Sequence, residues 1–84
     1  MRTNMNALQA AALERVFAGM LRPAGLDPDG EGLYGANLHV DGGPDGLVWW
    51  YDDEPLSANG TLDGKGHGLV WLRRVGTVAG PTAV

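Results

Sequence analysis

The chain has 84 residues, a formal net charge of −4 and no cysteine. This length suits one small domain with a single core and leaves little room for a deep catalytic pocket. The lack of cysteine excludes disulfides and thiolate metal sites. No apolar run reaches the roughly 18 residues of a membrane span, and the N-terminus lacks the apolar core of a signal peptide. We therefore expect a soluble, cytoplasmic protein.

The acidic residues are concentrated in one block of the sequence. Nine of the ten lie between Asp27 and Asp63, a range that contains no Lys or Arg. A block of this charge dominates the local electrostatic field. It disfavours direct nucleic-acid binding, for which a basic face is the usual requirement. It favours a protein partner with a basic surface.

The first predicted element is a helix over residues 6–22. Asn6 and Gln9 have the spacing of a capping box, and Pro23 followed by Gly25 marks the end of the helix. Apolar residues recur at helical spacing and form one broad face. They are Met5, Leu8, Leu13, Val16, Phe17, Met20 and Leu21. We expect this face to cover a sheet.

The remainder of the chain predicts β-structure. Strands are expected at about 33–40, 47–52 and 69–76, where β-branched and aromatic residues are frequent. A hairpin loop, Asp41–Gly46, joins the first two. Residues 53–68 form a loop that is long for a compact domain, and the Asn59-Gly60 pair favours a small extra hairpin within it. The predicted fold is α+β, with the helix packed on a three- to four-stranded antiparallel meander.

Alternation within the strands predicts which face of the sheet is buried. The wholly apolar set is expected to face the helix: Leu38, Val40, Val48, Trp50, Val70 and Leu72. The opposite face then carries Asn37, His39, Trp49, Tyr51, Trp71 and Arg73. Aromatic residues and arginine on an open face are typical of protein-binding sites. Two alternatives remain: the C-terminal segment or loop 53–68 covers this face, or a shift of one residue exchanges Trp49 with Trp50.

Two segments of the sequence resemble each other. DGGPDGLVWW begins at Asp41, and DGKGHGLVWL begins at Asp63, with a thinner copy, DPDGEGLY, at Asp27. The unequal spacings of 22 and 14 residues exclude a solenoid. Because Asp can accept a hydrogen bond from the backbone two residues on, we interpret each copy as a tight turn that begins a strand. This interpretation places Trp49 and Trp71 at equivalent strand positions. Local duplication and a paired ligand-binding loop are the alternatives.

Two patterns contain metal-ligating residue types. DPDGEG, residues 27–32, begins like a calcium loop, but Leu38 stands where that loop needs a bidentate acid. His39 and His67 have carboxylates near them in sequence, Asp41 and Asp63, as zinc sites do. Nothing in the spacing fixes a coordination geometry, so we expect no metal.

Catalytic patterns are incomplete throughout the chain. No Ser/His/acid arrangement has a recognised spacing. The consecutive acids Asp52, Asp53 and Glu54 are typical of a solvated turn. GKGHG, residues 64–68, lacks the spacing of a phosphate-binding loop. We expect neither an enzyme nor a bound cofactor.

In size and acidic charge, the chain is similar to small phage-encoded inhibitors such as anti-CRISPR proteins. That resemblance implies a phage or bacterial protein that blocks a basic, nucleic-acid-handling surface without catalysis. The expected contact residues are Asp41, Asp45, Trp49, Tyr51, Asp52, Asp53, Glu54, Trp71 and Arg73. One alternative is an assembly subunit that forms homodimers or larger oligomers through the open aromatic face. Another is a small calcium- or zinc-binding domain. Direct contact with nucleic acid or membrane is not expected.

Overall fold

A computed structural model describes residues 5–26, 38–53, 56–74 and 80–84, without the side chains of Asp52 and Asp53. Helix α1 spans Ala7–Val16 and continues into a π-helical turn, Phe17–Leu21. Five strands follow: β1 (Leu38–Gly43), β2 (Gly46–Asp53), β3 (Leu56–Asp63), β4 (Gly68–Arg74) and β5 (Thr82–Ala83). They form one antiparallel sheet in the order β1-β2-β3-β4-β5. The α+β fold predicted from the sequence is confirmed, with five strands in the described part of the chain instead of the predicted three or four.

The predicted capping box at the start of α1 is present. The Asn6 side chain accepts a hydrogen bond from the Gln9 backbone N–H at 2.8 Å, and Gln9 Oε1 accepts one from the Asn6 backbone N–H at 2.9 Å. The buried Gln9 amide also donates to the carbonyls of Gly43, Pro44 and Asp63 at 3.0–3.3 Å. These bonds hold the first turn of α1 against the β1–β2 and β3–β4 turns.

Replacing Gln9 with leucine should lower the free energy of unfolding by about 2 kcal/mol, because the hydrogen bonds of the buried Gln9 amide with the Asn6 N–H and with the three carbonyls would be lost. Urea unfolding of wild type and Gln9→Leu measures this difference. Glu14→Leu, on the exposed side of the same helix, is the control and should change stability by no more than about 0.5 kcal/mol. Equal stability of Gln9→Leu and wild type would contradict the structural role given to these bonds.

The end of the predicted helix is wider than an α-helix. Arg22 N–H donates to the Phe17 carbonyl at 2.9 Å, and Leu26 N–H donates to the Leu21 carbonyl at 2.8 Å. Both bonds span five residues, as in a π-helix. This turn places Phe17 and Leu21 in the core. Of the predicted apolar face, Leu8 is the exception, with 58% of its surface exposed.

The predicted loop at residues 53–68 is largely a strand. β3 pairs with β2 from Asp53↔Leu56 to Gly46↔Asp63 and with β4 on its other side. Asn59 and Gly60, predicted to form a turn, lie in the middle of β3. Their low strand propensity is overridden by pairing on both sides and by the alternating burial of one face. The buried positions of that face are Leu56, Ala58, Gly60 and Leu62.

The predicted orientation of β2 is wrong. Trp49 and Tyr51 are each only 1% exposed, whereas Val48 is 44% and Trp50 40% exposed. Leu38 and Val40 do lie on the core side as predicted, but their cross-strand partners are Tyr51 and Trp49. The apolar run of β2, residues 47–51, contains no polar position that marks its solvent side. The face of β2 that packs in the core is the one with the larger side chains.

Trp49 is the central side chain of the core. Its indole contacts the Phe17 ring edge to face, with centroids 6.0 Å apart and planes at 83°. Gly60, its cross-strand neighbour on β3, lies directly against it, since a Cβ on Gly60 would stand 2.7 Å from Trp49 Nε1. Helix and sheet therefore meet at Trp49, and the opposite face of the sheet carries no described helix.

Candidate functional site: a trough on the open sheet face

The open face of the sheet has a trough that runs along β3. Its floor consists of the short side chains Ser57, Asn59 and Thr61. Its walls are larger apolar side chains from the two flanking strands: Val48 and Trp50 on β2, and Leu69 and Trp71 on β4. The axes of β2 and β4 are two strand spacings apart, about 10 Å. We call this surface the β3 trough.

The strand register aligns the trough in rows. Trp50 pairs with Asn59, and Asn59 pairs with Trp71, so the two tryptophans stand on either side of the Asn59 amide. One row along, Thr61 lies between Val48 and Leu69 in the same way. Val48, Trp50 and Leu69 keep 40–44% of their surface exposed, and Trp71 is half-buried. Both walls of the β3 trough are therefore apolar and partly exposed to solvent.

In the parts of them that the structure describes, neither candidate cover lies over the trough. The segment predicted as loop 53–68 contributes β3, which is inside the sheet and forms the floor. At the C-terminus, β5 pairs with Leu69 and Val70 at the edge of β4. Among the described residues, β3 and β5 are both strands of the sheet and leave its open face uncovered.

The two repeated segments supply opposite walls of the trough, but their corresponding residues face opposite sides of the sheet. Leu47 is buried while its counterpart Leu69 is exposed, and buried Trp49 corresponds to half-buried Trp71. The expectation that Trp49 and Trp71 occupy equivalent positions is therefore wrong. Gly46 pairs with Asp63, whereas its counterpart Gly68 pairs with Leu62, and this offset of one residue on β3 reverses the faces.

The turn interpretation of the repeat is confirmed at Asp63. Its carboxylate accepts hydrogen bonds from the backbone N–H groups of Lys65 at 2.8 Å and His67 at 2.9 Å. The corresponding Asp41 lies within β1, and the turn there is formed by Pro44 and Asp45.

Hydrogen bonds from the His67 and Lys65 backbones lower the pKa of Asp63 below its ordinary value of 3.8. A carboxylate with a lowered folded-state pKa stabilises the fold above its ordinary pKa. That contribution is lost as the pH falls through the folded-state value. In urea unfolding, wild type should therefore be more stable than Asp63→Asn by a constant margin from pH 7 to about pH 5. The margin should close toward pH 2, and a margin unchanged at pH 2 would contradict this assignment.

One end of the β3 trough opens into an acidic groove. This shallow cavity of about 470 Å³ is lined by Asp41, Asp45 and Asp63 together with His67. Val48 and Thr61 line both the groove and the trough, so the two are continuous. At the other end, Arg73 is exposed and pairs with Ser57. The described part of the open face is thus most acidic near the β1–β2 and β3–β4 turns.

His39 supports Trp50 from the outer side. The two rings are stacked, with centroids 5.3 Å apart and planes at 15°. His39 is the cross-strand neighbour of Trp50 on β1, so it lies on the side of the indole away from β3. The second face of the Trp50 indole is therefore directed toward Asn59 and the trough.

The contact residues expected from the sequence fall into three groups. Asp41, Asp45, Trp71 and Arg73 lie on the open face or at its rim. Trp49 and Tyr51 are buried beneath the helix, which corrects their expected exposure. Glu54 and the side chains of Asp52 and Asp53 lie outside the described residues.

Sequence reasoning missed most of the trough. Trp50 was identified only through the alternative of a one-residue shift, and Val48, Asn59 and Leu69 were not identified as surface contacts. The available signal was the alternation of β3, in which apolar and glycine positions alternate with Ser57, Asn59 and Thr61. This pattern marks a strand whose outer face is polar and short.

Of the two metal patterns, only the one with His39 and His67 falls among the described residues. Within the described ranges, no group of three or more His, Asp and Glu side chains is arranged to hold a metal ion, and this search includes His39 and His67. The calcium-like segment 27–32 lies outside the described residues. None of the helices in the described part of the chain has the length and apolar character needed to cross a membrane.

Comparisons with protein-family models, with curated proteins and with solved structures gave no match to this chain.

Proposed function

We propose that this protein is a non-enzymatic binding module that attaches its open sheet face to a basic surface of a partner protein. The observation that supports this proposal is the pair of exposed apolar walls, with Val48, Trp50 and Leu69 each at least 40% exposed. Contiguous apolar surface on a small soluble domain usually marks an interaction site. Tryptophan is among the residues that contribute most to such interfaces.

The negative charge of the chain and of the groove favours a partner with a basic surface. The chain has a net charge of −4, and carboxylates of Asp41, Asp45 and Asp63 line the groove that continues the trough. Opposite potentials steer association and exclude partners of like charge. A phage-type inhibitor that acts in the cytoplasm and occupies Lys and Arg residues otherwise used for phosphates would work in this way.

The test uses a fluorescently labelled peptide with as many residues as β3, eight, in which Gly alternates with Arg or Lys. Asp41→Lys should weaken its binding about five-fold, or about 1 kcal/mol, and flatten the salt dependence. Fluorescence anisotropy at several salt concentrations measures both effects. Glu14→Lys is the matched control, since each substitution raises the net charge from −4 to −2 but Glu14 lies on α1. An equal loss in both variants would contradict a specific role for the open face.

The competing use of the same face is homodimerisation. Light scattering over a range of protein concentrations separates the two proposals. A monomer throughout is expected, because two copies with a net charge of −4 each repel one another. A stable dimer that Trp71→Ala dissociates would favour the assembly subunit instead.

A further inference from the structure

We infer that the β3 trough selects arginine, with one guanidinium group held between Trp50 and Trp71. This inference rests on the proposed function and names the side chain that the partner would contribute. The occupant is an extended segment of the partner that lies lengthwise along β3. The width of the trough, the chemistry of its walls and floor, and the spacing to the acidic groove support this assignment.

The spacing of the strands leaves room for a flat group between the two tryptophans. Trp50 and Trp71 stand on strands whose axes are about 10 Å apart, with Asn59 between them. A planar group that stacks between two rings needs about 3.5–4 Å on each side. A guanidinium group meets this requirement, and it is attracted to the electron-rich face of an indole.

The Trp50 indole is already positioned for such a contact. His39 covers the outer face of the ring at a centroid distance of 5.3 Å, which leaves the inner face directed toward the trough. A ring held by a neighbour loses less side-chain entropy on binding than a free one. The floor adds a polar partner, because Asn59 is exposed and its amide oxygen can accept a hydrogen bond from guanidinium N–H groups.

Charge favours arginine over a neutral planar side chain. Asp63 and Asn59 lie on the same face of β3, four residues apart, and the acidic groove begins at Thr61 between them. Alternate residues of an extended peptide are about 7 Å apart on one side. A second basic residue, two positions from the stacked arginine, would therefore lie beside the groove carboxylates. Lysine satisfies the charge but not the planar contact, and citrulline satisfies the planar contact but not the charge.

The experiment compares three eight-residue peptides in which Gly alternates with Arg, Lys or citrulline. Fluorescence anisotropy should show the Arg peptide binding about five- to ten-fold more tightly than either of the other two. Trp50→Leu and Trp71→Leu should each remove this preference while leaving residual, salt-dependent binding of the Arg and Lys peptides. Thermal unfolding of both variants verifies that they fold.

Nuclear magnetic resonance provides a second measurement that needs no variant. Three indole N–H signals are expected, one for each tryptophan. The Arg peptide should shift the signals of Trp50 and Trp71, and buried Trp49 serves as the internal control.

The outcomes separate this inference from the proposed function. If neither the Arg nor the Lys peptide shifts the Trp50 and Trp71 signals, the proposed function fails and the inference fails with it. If both peptides bind equally, or if Trp50→Leu keeps the preference for Arg, the inference alone fails. An oligothymidylate that binds more tightly than the Arg peptide would overturn it in favour of single-stranded nucleic acid.

Discussion

Replacing Trp49 with alanine is expected to lower the free energy of unfolding by about 3–5 kcal/mol. The indole is 1% exposed and joins the helix to the sheet through its edge-to-face contact with Phe17. Its removal would leave a cavity bordered by Phe17 on one side and the backbone at Gly60 on the other. Domains of this size have a total stability of roughly 4–13 kcal/mol, so the variant would lose about a quarter of that stability or more.

The neighbouring Trp50 provides the matched control. Trp50→Ala removes the same side chain from the open face, where 40% of it is in solvent, and should cost about 1 kcal/mol or less. Urea unfolding followed by far-ultraviolet circular dichroism measures both variants without relying on tryptophan fluorescence. Equal losses of stability, or a larger loss in Trp50→Ala, would contradict the orientation of β2.

An intermediate variant tests the polar end of the Trp49 ring. Trp49 Nε1 is buried and has no hydrogen-bond acceptor among the described residues. A buried N–H without an acceptor is destabilising by about 1–3 kcal/mol. Phenylalanine removes this group while keeping an aromatic ring against Phe17, so Trp49→Phe should lose much less stability than Trp49→Ala.

The helix and the fold class could be predicted because each depends on local sequence. Asn6 and Gln9 specify the capping box, and apolar spacing specifies the buried side of α1. β3 could not be predicted in the same way. Its Asn59-Gly60 pair favours a turn locally, and only hydrogen bonding to strands on both sides makes it a strand. Gly60 is suitable there because Trp49 needs the space that a side chain would occupy.

The candidate site depends on which alternate residues of β2 face the core, and the sequence of β2 does not determine this. Residues 47–51 are all apolar, so either phase buries a hydrophobic set. Burying Leu47, Trp49 and Tyr51 places more apolar surface in the core than burying Val48 and Trp50 would. The cost is an exposed Trp50. That exposure leaves a tryptophan on each side of the β3 trough.

The two copies of the Leu-Val-Trp segment therefore contribute side chains to both faces of the sheet. Each copy supplies core residues to the helix side, Leu47 and Trp49 from β2 and Val70 from β4. Because β3 offsets them by one residue, each copy also supplies one wall of the trough. The two copies thus form the two walls of the β3 trough, although they bury alternate residues of the repeated segment. In the proposed binding mode the preference for arginine requires Trp50 and Trp71 together, so each single variant is expected to abolish it.

The second large loss of stability is expected from substitution of Gly60, the β3 residue that lies against Trp49 on the core side of the sheet. A Cβ at this position would stand 2.5 Å from the Leu69 carbonyl oxygen and 2.7 Å from Trp49 Nε1. Neither atom can move freely, since one belongs to β4 and the other to a packed ring. Gly60→Val should therefore lower the free energy of unfolding by about 3 kcal/mol, at the upper end of the range for overpacked cores.

Gly43→Val is the matched control for Gly60→Val. Gly43 lies in β1, and a Cβ there would meet no atom within 4 Å. The same substitution should be close to neutral, because valine suits an extended backbone. In urea unfolding, equal losses at the two positions would mean that strand conformation and not the Trp49 contact limits Gly60. A large loss at Gly60 alone would show that Trp49 occupies the core side of β3, which is the arrangement that leaves Trp50 beside Asn59 in the trough.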